Sequence, residues 1–223
     1  MMEGVGLPPK TRGRHHLAQG RGSSCMTMPG WDAAYESSTP APWDIGRPQP
    51  AFVRLADSGL LGGQLLDAGC GTGEHTLLAA AHGADATGVD ISPRAIGRAR
   101  EKAAARGLAV RFDVANALDL AQLGRTFDTV LDSGLFHVFD DQDRPRYVTS
   151  LGSALQPGGT CFLMCFSDRQ PGDFGPRRVR RDELAAAFSD GWNVTSIAAD
   201  TFEINPGLGT TIAQAWLATI RRL

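Results

Sequence analysis

A chain of 223 residues, with 22 Lys and Arg against 24 Asp and Glu and a net charge of −2, fits one domain whose core needs no metal or disulfide staple. The near balance of charge argues against a general nucleic-acid binder, which carries a basic surplus, and no apolar run reaches the roughly 18–20 residues of a membrane helix. Cys25, Cys70, Cys161 and Cys165 are too few and too scattered for a disulfide framework and form no spaced cluster with the histidines. No metal site is expected, and a reducing cytoplasm is the simplest compartment.

Residues 1–28 are rich in Gly, Pro, Arg and Ser without a hydrophobic period, and read as a disordered tail. From residue 64 short apolar runs alternate with helical patterns. QLLDAG (64–69) reads as a strand, 73–82 as a helix, and DATGVD (85–90) as a second strand. A helix follows over 93–106, with Ser92 at its N-cap and Pro93 in its first turn. AVRFDVA and TFDTVLDS give strands three and four. Residues 143–155 read as a helix stopped by Pro157-Gly158-Gly159, and TCFLMCF as strand five, with Cys161 and Cys165 on one face. After a short helix at 182–188 come WNVTSIAAD and TIAQAWLATI, two strands with no helix between them. The expected fold is α/β: a doubly wound, mainly parallel seven-stranded sheet ending in an antiparallel hairpin about a Pro206-Gly207 turn.

The strongest local signal is Leu65-Leu66-Asp67-Ala68-Gly69-Cys70-Gly71-Thr72-Gly73-Glu74, a strand running into a glycine-rich turn and a helix. Glycines 69, 71 and 73 let the backbone turn sharply and approach a ligand at the carboxyl end of the first strand. A dinucleotide fingerprint wants glycine at 74, where an acid would repel phosphate, so that reading is disfavoured. Asp90, closing the second strand in GVDIS, can accept both hydroxyls of an adenosine ribose. Asn116, in Asn116-Ala117-Leu118-Asp119, is placed to touch an adenine edge or merely to cap a turn.

In this order the LLDAGCGTGEHTL loop, GVDIS, NALDL, FDTVLDSGLF and the closing hairpin resemble the Rossmann-like (class I) S-adenosylmethionine-dependent methyltransferases. Upstream, Trp31-Asp32-Ala33-Ala34-Tyr35-Glu36 and Pro42-Trp43-Asp44-Ile45-Gly46-Arg47-Pro48-Gln49-Pro50 resemble the N-terminal cap of the thiopurine, thiol and halide members. The resemblance implies a cap at 29–62 over a methyltransferase domain at 63–223. It implies a cofactor site drawn from Trp31, Tyr35, Trp43, Asp67, Gly69, Cys70, Gly71, Gly73, Asp90, Ile91, Asn116, Ala117 and Asp132, with Asp132 on the methionine amino group. Ring faces attract the sulfonium cation by about 0.5–2 kcal/mol and exclude water. Ser133 stands where the thiopurine enzyme has Arg, so thiopurine specificity is not inherited.

Methyl transfer is an in-line displacement whose leaving group needs no proton, so alignment and a dry site do most of the work. His137, after the fourth strand, is either a general base or a structural histidine packed between Phe136 and Phe139. Ser133, Phe136 and Phe174 are the expected substrate-pocket residues, and Arg177, Arg178, Arg180 and Arg181 read as a mostly solvated loop. The expected activity is methylation of a small molecule at a thiol, or at a phenolic or heteroaromatic oxygen or nitrogen. The expected protein is a monomer or weak homodimer engaging neither nucleic acid nor membrane. The alternatives are RNA or protein methylation, and cofactor binding without turnover.

Overall fold

The computed structural model describes Met1 and residues 28–37, 39–206 and 210–223. The rest of the expected 1–28 tail, and Gly207 of the expected turn, lie outside the described residues.

Two short helices come first, α1 (Met28–Ala33) and α2 (Pro50–Asp57). The alternating part follows: β1 (Gln64–Ala68), α3 (Glu74–Ala81), β2 (Asp85–Asp90), α4 (Pro93–Arg106), β3 (Arg111–Val114), β4 (Phe127–Ser133), α5 (Asp143–Ala154) and β5 (Leu155–Phe166). The chain ends with α6 (Arg181–Ala187), β6 (Trp192–Glu203) and β7 (Ile212–Arg222). The seven strands form one sheet in the order β3-β2-β1-β4-β5-β7-β6, parallel through β5, with β7 antiparallel to both β5 and β6. The chain winds outward from β1 in both directions, so a crevice opens at the carboxyl ends of β1 and β4.

Strand alternation fills both faces of the sheet. Leu66, Val130, Cys161, Leu163 and Cys165 join a cluster with Tyr147, Leu151 and Phe188 under α5 and α6. Leu65, Leu131, Phe162, Met164 and Phe166 join a second with Phe52, Ala79 and Phe202 under α2 and α3. Every second residue of β5 therefore belongs to the same cluster, and the two cysteines do share a face. Ser92 caps α4 as expected, its hydroxyl accepting from Ala95 N at 3.1 Å, and Gly107 ends the helix in the left-handed conformation.

Two elements differ from the sequence reading. Pro157-Gly158-Gly159 does not separate helix from strand: α5 stops at Ala154 and the strand begins at Leu155, which pairs with Phe127 before a register shift brings Thr160 opposite Thr129. The pattern Pro-Gly-Gly marks a bulge here as well as it would mark a loop. Helix α2 is legible only afterwards: Ala51, Phe52 and Ala56 form its buried face, too short a period to stand out in a proline-rich stretch.

Candidate functional site

A cavity of about 800 Å³ occupies the crevice, a volume suited to a cofactor with a small second molecule beside it. Its floor is the turn after β1. Gly69 and Gly71 both have positive φ (71° and 53°), and a Cβ on Gly71 would come within 3.0 Å of the Tyr35 hydroxyl. Asp90, at the end of β2, stabilises that turn: its carboxylate accepts from Gly71 N and from Ser92 N, each at 2.9 Å. Two lone-pair positions remain for a diol. Asn116 accepts from Leu118 N through Oδ1 at 2.9 Å, which leaves its amide donors for the cavity it lines.

The roof is the segment before β1. Trp31 meets Trp43 edge-on with ring centroids 5.5 Å apart, and Trp43 Nε1 donates to the Tyr35 hydroxyl at 3.0 Å. Two sets of bonds hold this roof down. Asp32 accepts from the Ser92 hydroxyl at 2.7 Å and pairs with Arg94 at 2.8 Å, while Arg98 donates to Tyr35 O at 2.6 Å. On the far side, Asn205 Nδ2 donates to Ala41 O and Asp44 O at 2.8 and 2.7 Å. Gln49 is paired twice to the Glu203 backbone.

A second compartment of the same cavity lies beside a short 3₁₀ turn at Phe136–Val138 and the carboxyl end of β5. Phe166, Phe202 and His137 pack against one another, with centroids 5.1–6.0 Å apart, as one aromatic wall of it, and Val138 and Phe139 also line it. His137 Nδ1 accepts from Phe166 N at 2.9 Å. Burial, together with the nearby Arg144 and Arg178 guanidiniums, pushes its imidazole down to about 3. The ring is therefore neutral at neutral pH, with Nδ1 as acceptor and Nε2 carrying the proton.

A methyltransferase-domain family model matches residues 65–159. The chain is 38% identical over 160 residues, 70% of each protein, to 2-heptyl-1-hydroxyquinolin-4(1H)-one methyltransferase of Mycobacteroides abscessus. It is 26% identical over 190 residues, 84% of each, to probable thiol methyltransferase 2 of Arabidopsis thaliana. A structure solved in work on the conversion of a disulfide bond into a thioacetal group during echinomycin biosynthesis aligns with a TM-score of 0.79 and 39% identity, over 88% of this chain and 93% of the other. The chain belongs to the class I S-adenosylmethionine-dependent methyltransferases. The methyltransferase's glycine turn, whose floor a Cβ would fill, and the open lone pairs of Asp90 fit that cofactor, which when bound supplies an electrophilic methyl group.

Of the residues singled out from sequence, Trp31, Tyr35, Trp43, Gly69, Cys70, Gly71, Asp90, Ile91, Asn116, Ala117, Ser133 and His137 line the cavity. Five do not. Asp67 is buried beneath the turn, bonded to the Thr76 hydroxyl at 2.7 Å. Gly73 faces protein: a Cβ there would lie 2.8–2.9 Å from Phe112 and Ala99. Asp132 is wholly buried, accepting from Leu135 N, Phe136 N and the Tyr147 hydroxyl, and so shapes the loop after β4. Phe136 packs into the core against Phe188 under the Arg144 guanidinium. Phe174 sits behind Arg178, outside the cavity wall.

Glu74 also needs correction. Lys102 at 2.8 Å and Arg106 at 2.9 Å compensate its charge, so its carboxylate does not present the phosphate-repelling field expected of it. His75 of α3 lines the cavity as well, its Nε2 accepting from Gln49 N at 3.0 Å. Phe166 reads only as a strand residue, and Phe202 lies just beyond the strand expected over WNVTSIAAD, although β6 runs on to Glu203. Their signal, an aromatic at the last inward position of a strand, is common to core and pocket.

Proposed function

We propose that this methyltransferase methylates a small aromatic molecule at sulfur or oxygen. Under this reading the segment 29–62 is a cap that shields the cofactor. Trp31, Tyr35, Trp43, Gly69, Cys70, Gly71, Asp90, Ile91, Asn116 and Ala117 hold the cofactor, and Ser133, His137, Phe166 and Phe202 face the acceptor. The observation that carries it is the roofed crevice opening into a compartment walled by Phe166, Phe202 and His137, which suits a planar guest. The relatives support it, since their names specify an N-hydroxyquinolone and a thiol as acceptors.

The arginine stretch lends no support to RNA or protein as acceptor. Arg177 pairs with Asp141 and Glu183, and Arg180 with Asp182. Arg178 donates to the carbonyls of Gln170, Gly172 and Pro176, and Arg181 to Ile197 O.

Calorimetric binding of S-adenosylhomocysteine tests the cofactor site. Asp90→Ala is expected to weaken it at least tenfold by removing the ribose acceptor and unbinding Gly71 N. Unchanged affinity would move the cofactor elsewhere. Single-turnover methyl transfer to a matched thiophenol and phenol, read by product mass, then separates sulfur from oxygen.

A further inference from the structure

The acceptor compartment contains a histidine whose lone pair is already used. Phe166 N–H, 29 residues further along the chain, donates to His137 Nδ1 at 2.9 Å, and an amide cannot reverse its role. The remaining nitrogen must therefore be N–H when the ring is neutral. That edge is open to the cavity. An ideal Cβ on Gly134 would lie 3.3 Å from Nε2 and 3.7 Å from Phe202 Cζ, and Gly134, Phe202 and His137 all line the cavity. Glycine at 134, with φ +90°, leaves the approach clear. Among the described residues no protein acceptor is bonded to Nε2.

The other carboxylates and the other imidazole lining the cavity each already have a protein partner. Glu74 is held by Lys102 and Arg106, Glu203 by Arg47, and Asp143 by Arg146. Asp44 accepts from the Thr72 hydroxyl, Asp90 from Gly71 and Ser92 amides, and His75 Nε2 from Gln49 N. Meanwhile the charged groups acting on His137 are both cations: Arg144 of α5, and Arg178 of the loop after β5, whose guanidinium lies 5.5 Å from the Phe166 ring centroid. Arg144 is itself paired with Glu183 at 2.5 Å, so it is Arg178, whose hydrogen bonds go to backbone carbonyls, that opposes an imidazolium and favours an anion in the same slot.

We propose that His137 selects the acceptor by donating Nε2–H to its anionic heteroatom, so that the enzyme takes aryl thiolates and the oxyanions of acidic aromatic hydroxyls that arrive already deprotonated. This rests on the reading of the cavity as cofactor and acceptor site. The lone pair of the anion forms the bond to the methyl carbon as the carbon–sulfur bond of the sulfonium breaks. That bonding pair goes to sulfur, leaving a neutral thioether, and no proton moves. An anion entering this aromatic compartment loses water, and one charge-assisted hydrogen bond to it is worth about 10–100-fold in binding.

The test uses the full chain saturated with S-adenosylhomocysteine. 4-Nitrothiophenol and 4-nitrophenol report their own ionisation by absorbance. The bound chromophore is expected to ionise at lower pH than the free one, by about one unit, and this shift is expected to vanish in His137→Phe. In His137→Gln, whose amide N–H replaces the donor without a basic nitrogen, most of the shift should return. With S-adenosylmethionine, kcat/KM for a series of ring-substituted thiophenols should level off at the pKa of each acceptor, in His137→Gln as in the parent. An inflection fixed at one pH for every acceptor, whatever that acceptor's own pKa, and lost in His137→Gln would overturn the proposal and make His137 a base. A chromophore bound in its neutral form would overturn it too. Failure to bind S-adenosylhomocysteine at all would instead overturn the site reading beneath it.

Discussion

Asp67 and Asp132 lie on adjacent strands beneath the cavity, and burial pushes both carboxyls up to about 7. An unfolded aspartate ionises near 3.9, so between about pH 4 and 7 the folded state holds the extra protons and stability falls as pH rises. His75 and His137 act in the opposite sense. Burial lowers them to about 4 and about 3, the unfolded state protonates first, and stability rises with pH up to about 6.5. Asp67→Asn removes one of the falling contributions. Stability measured by urea unfolding should then rise with pH between 4 and 6.5 more steeply than in the parent, by about 1.4 kcal/mol per pH unit. Parallel profiles would show Asp67 ionised in the fold. At this scale the sequence was only half legible. Asp90 and Asn116 could be placed at the cavity because one closes a strand and the other comes just after one, at the crevice end of the sheet. Asp132 could not, because its partner Tyr147 comes from α5, 15 residues on, and no local pattern shows which carboxylate a helix will cover.

The segment that roofs the cavity depends on an element from the other end of the chain. Asn205, at the end of the β6 hairpin arm, binds the carbonyls of Ala41 and Asp44, more than 160 residues earlier. Gln49 is stitched to Glu203 in the same way. Asn205→Ala removes the two side-chain bonds and keeps the backbone bond from Asn205 N to Pro42 O. At about 1 kcal/mol each, the loss should weaken S-adenosylhomocysteine binding by about 5–30-fold in calorimetry, with only a small fall in Tm. A drop in Tm with unchanged affinity would mean that this contact stabilises the fold without closing the site. Helix α4 shows the contrary case of an element fully readable in advance. Ser92, Pro93 and Gly107 write its start and stop locally, although the same Ser92 hydroxyl also fastens Asp32 of the roof.

Across the whole molecule, no described helix is long and apolar enough to cross a membrane, and no cluster of metal-ligating side chains occurs among the described residues. The thiols report on cooperativity. Cys161 and Cys165 are buried in the cluster under α5 and α6, and burial raises both well above the ordinary thiol range. In a Cys25→Ser background both should label only as fast as the protein unfolds globally. Cys70, in the cavity wall, should be protected further by S-adenosylhomocysteine. Rapid labelling of Cys161 in the native state would show that the sheet opens locally.

Sequence alone determined the strand and helix alternation, the glycine turn, the antiparallel end of the sheet and the family that these motifs resemble. Each of these rests on short-range physics: a period of two or 3.6, a glycine where φ is positive, a cap beside its helix. Tertiary structure decided which aromatics line the cavity, which acids are spent on protein hydrogen bonds, and which nitrogen of His137 carries the proton. Those outcomes depend on single long-range contacts, such as the Phe166 amide on His137 Nδ1 and Asn205 on the roof. One such hydrogen bond turns a candidate base into a donor, and it leaves no trace in the spacing of the residues that make it.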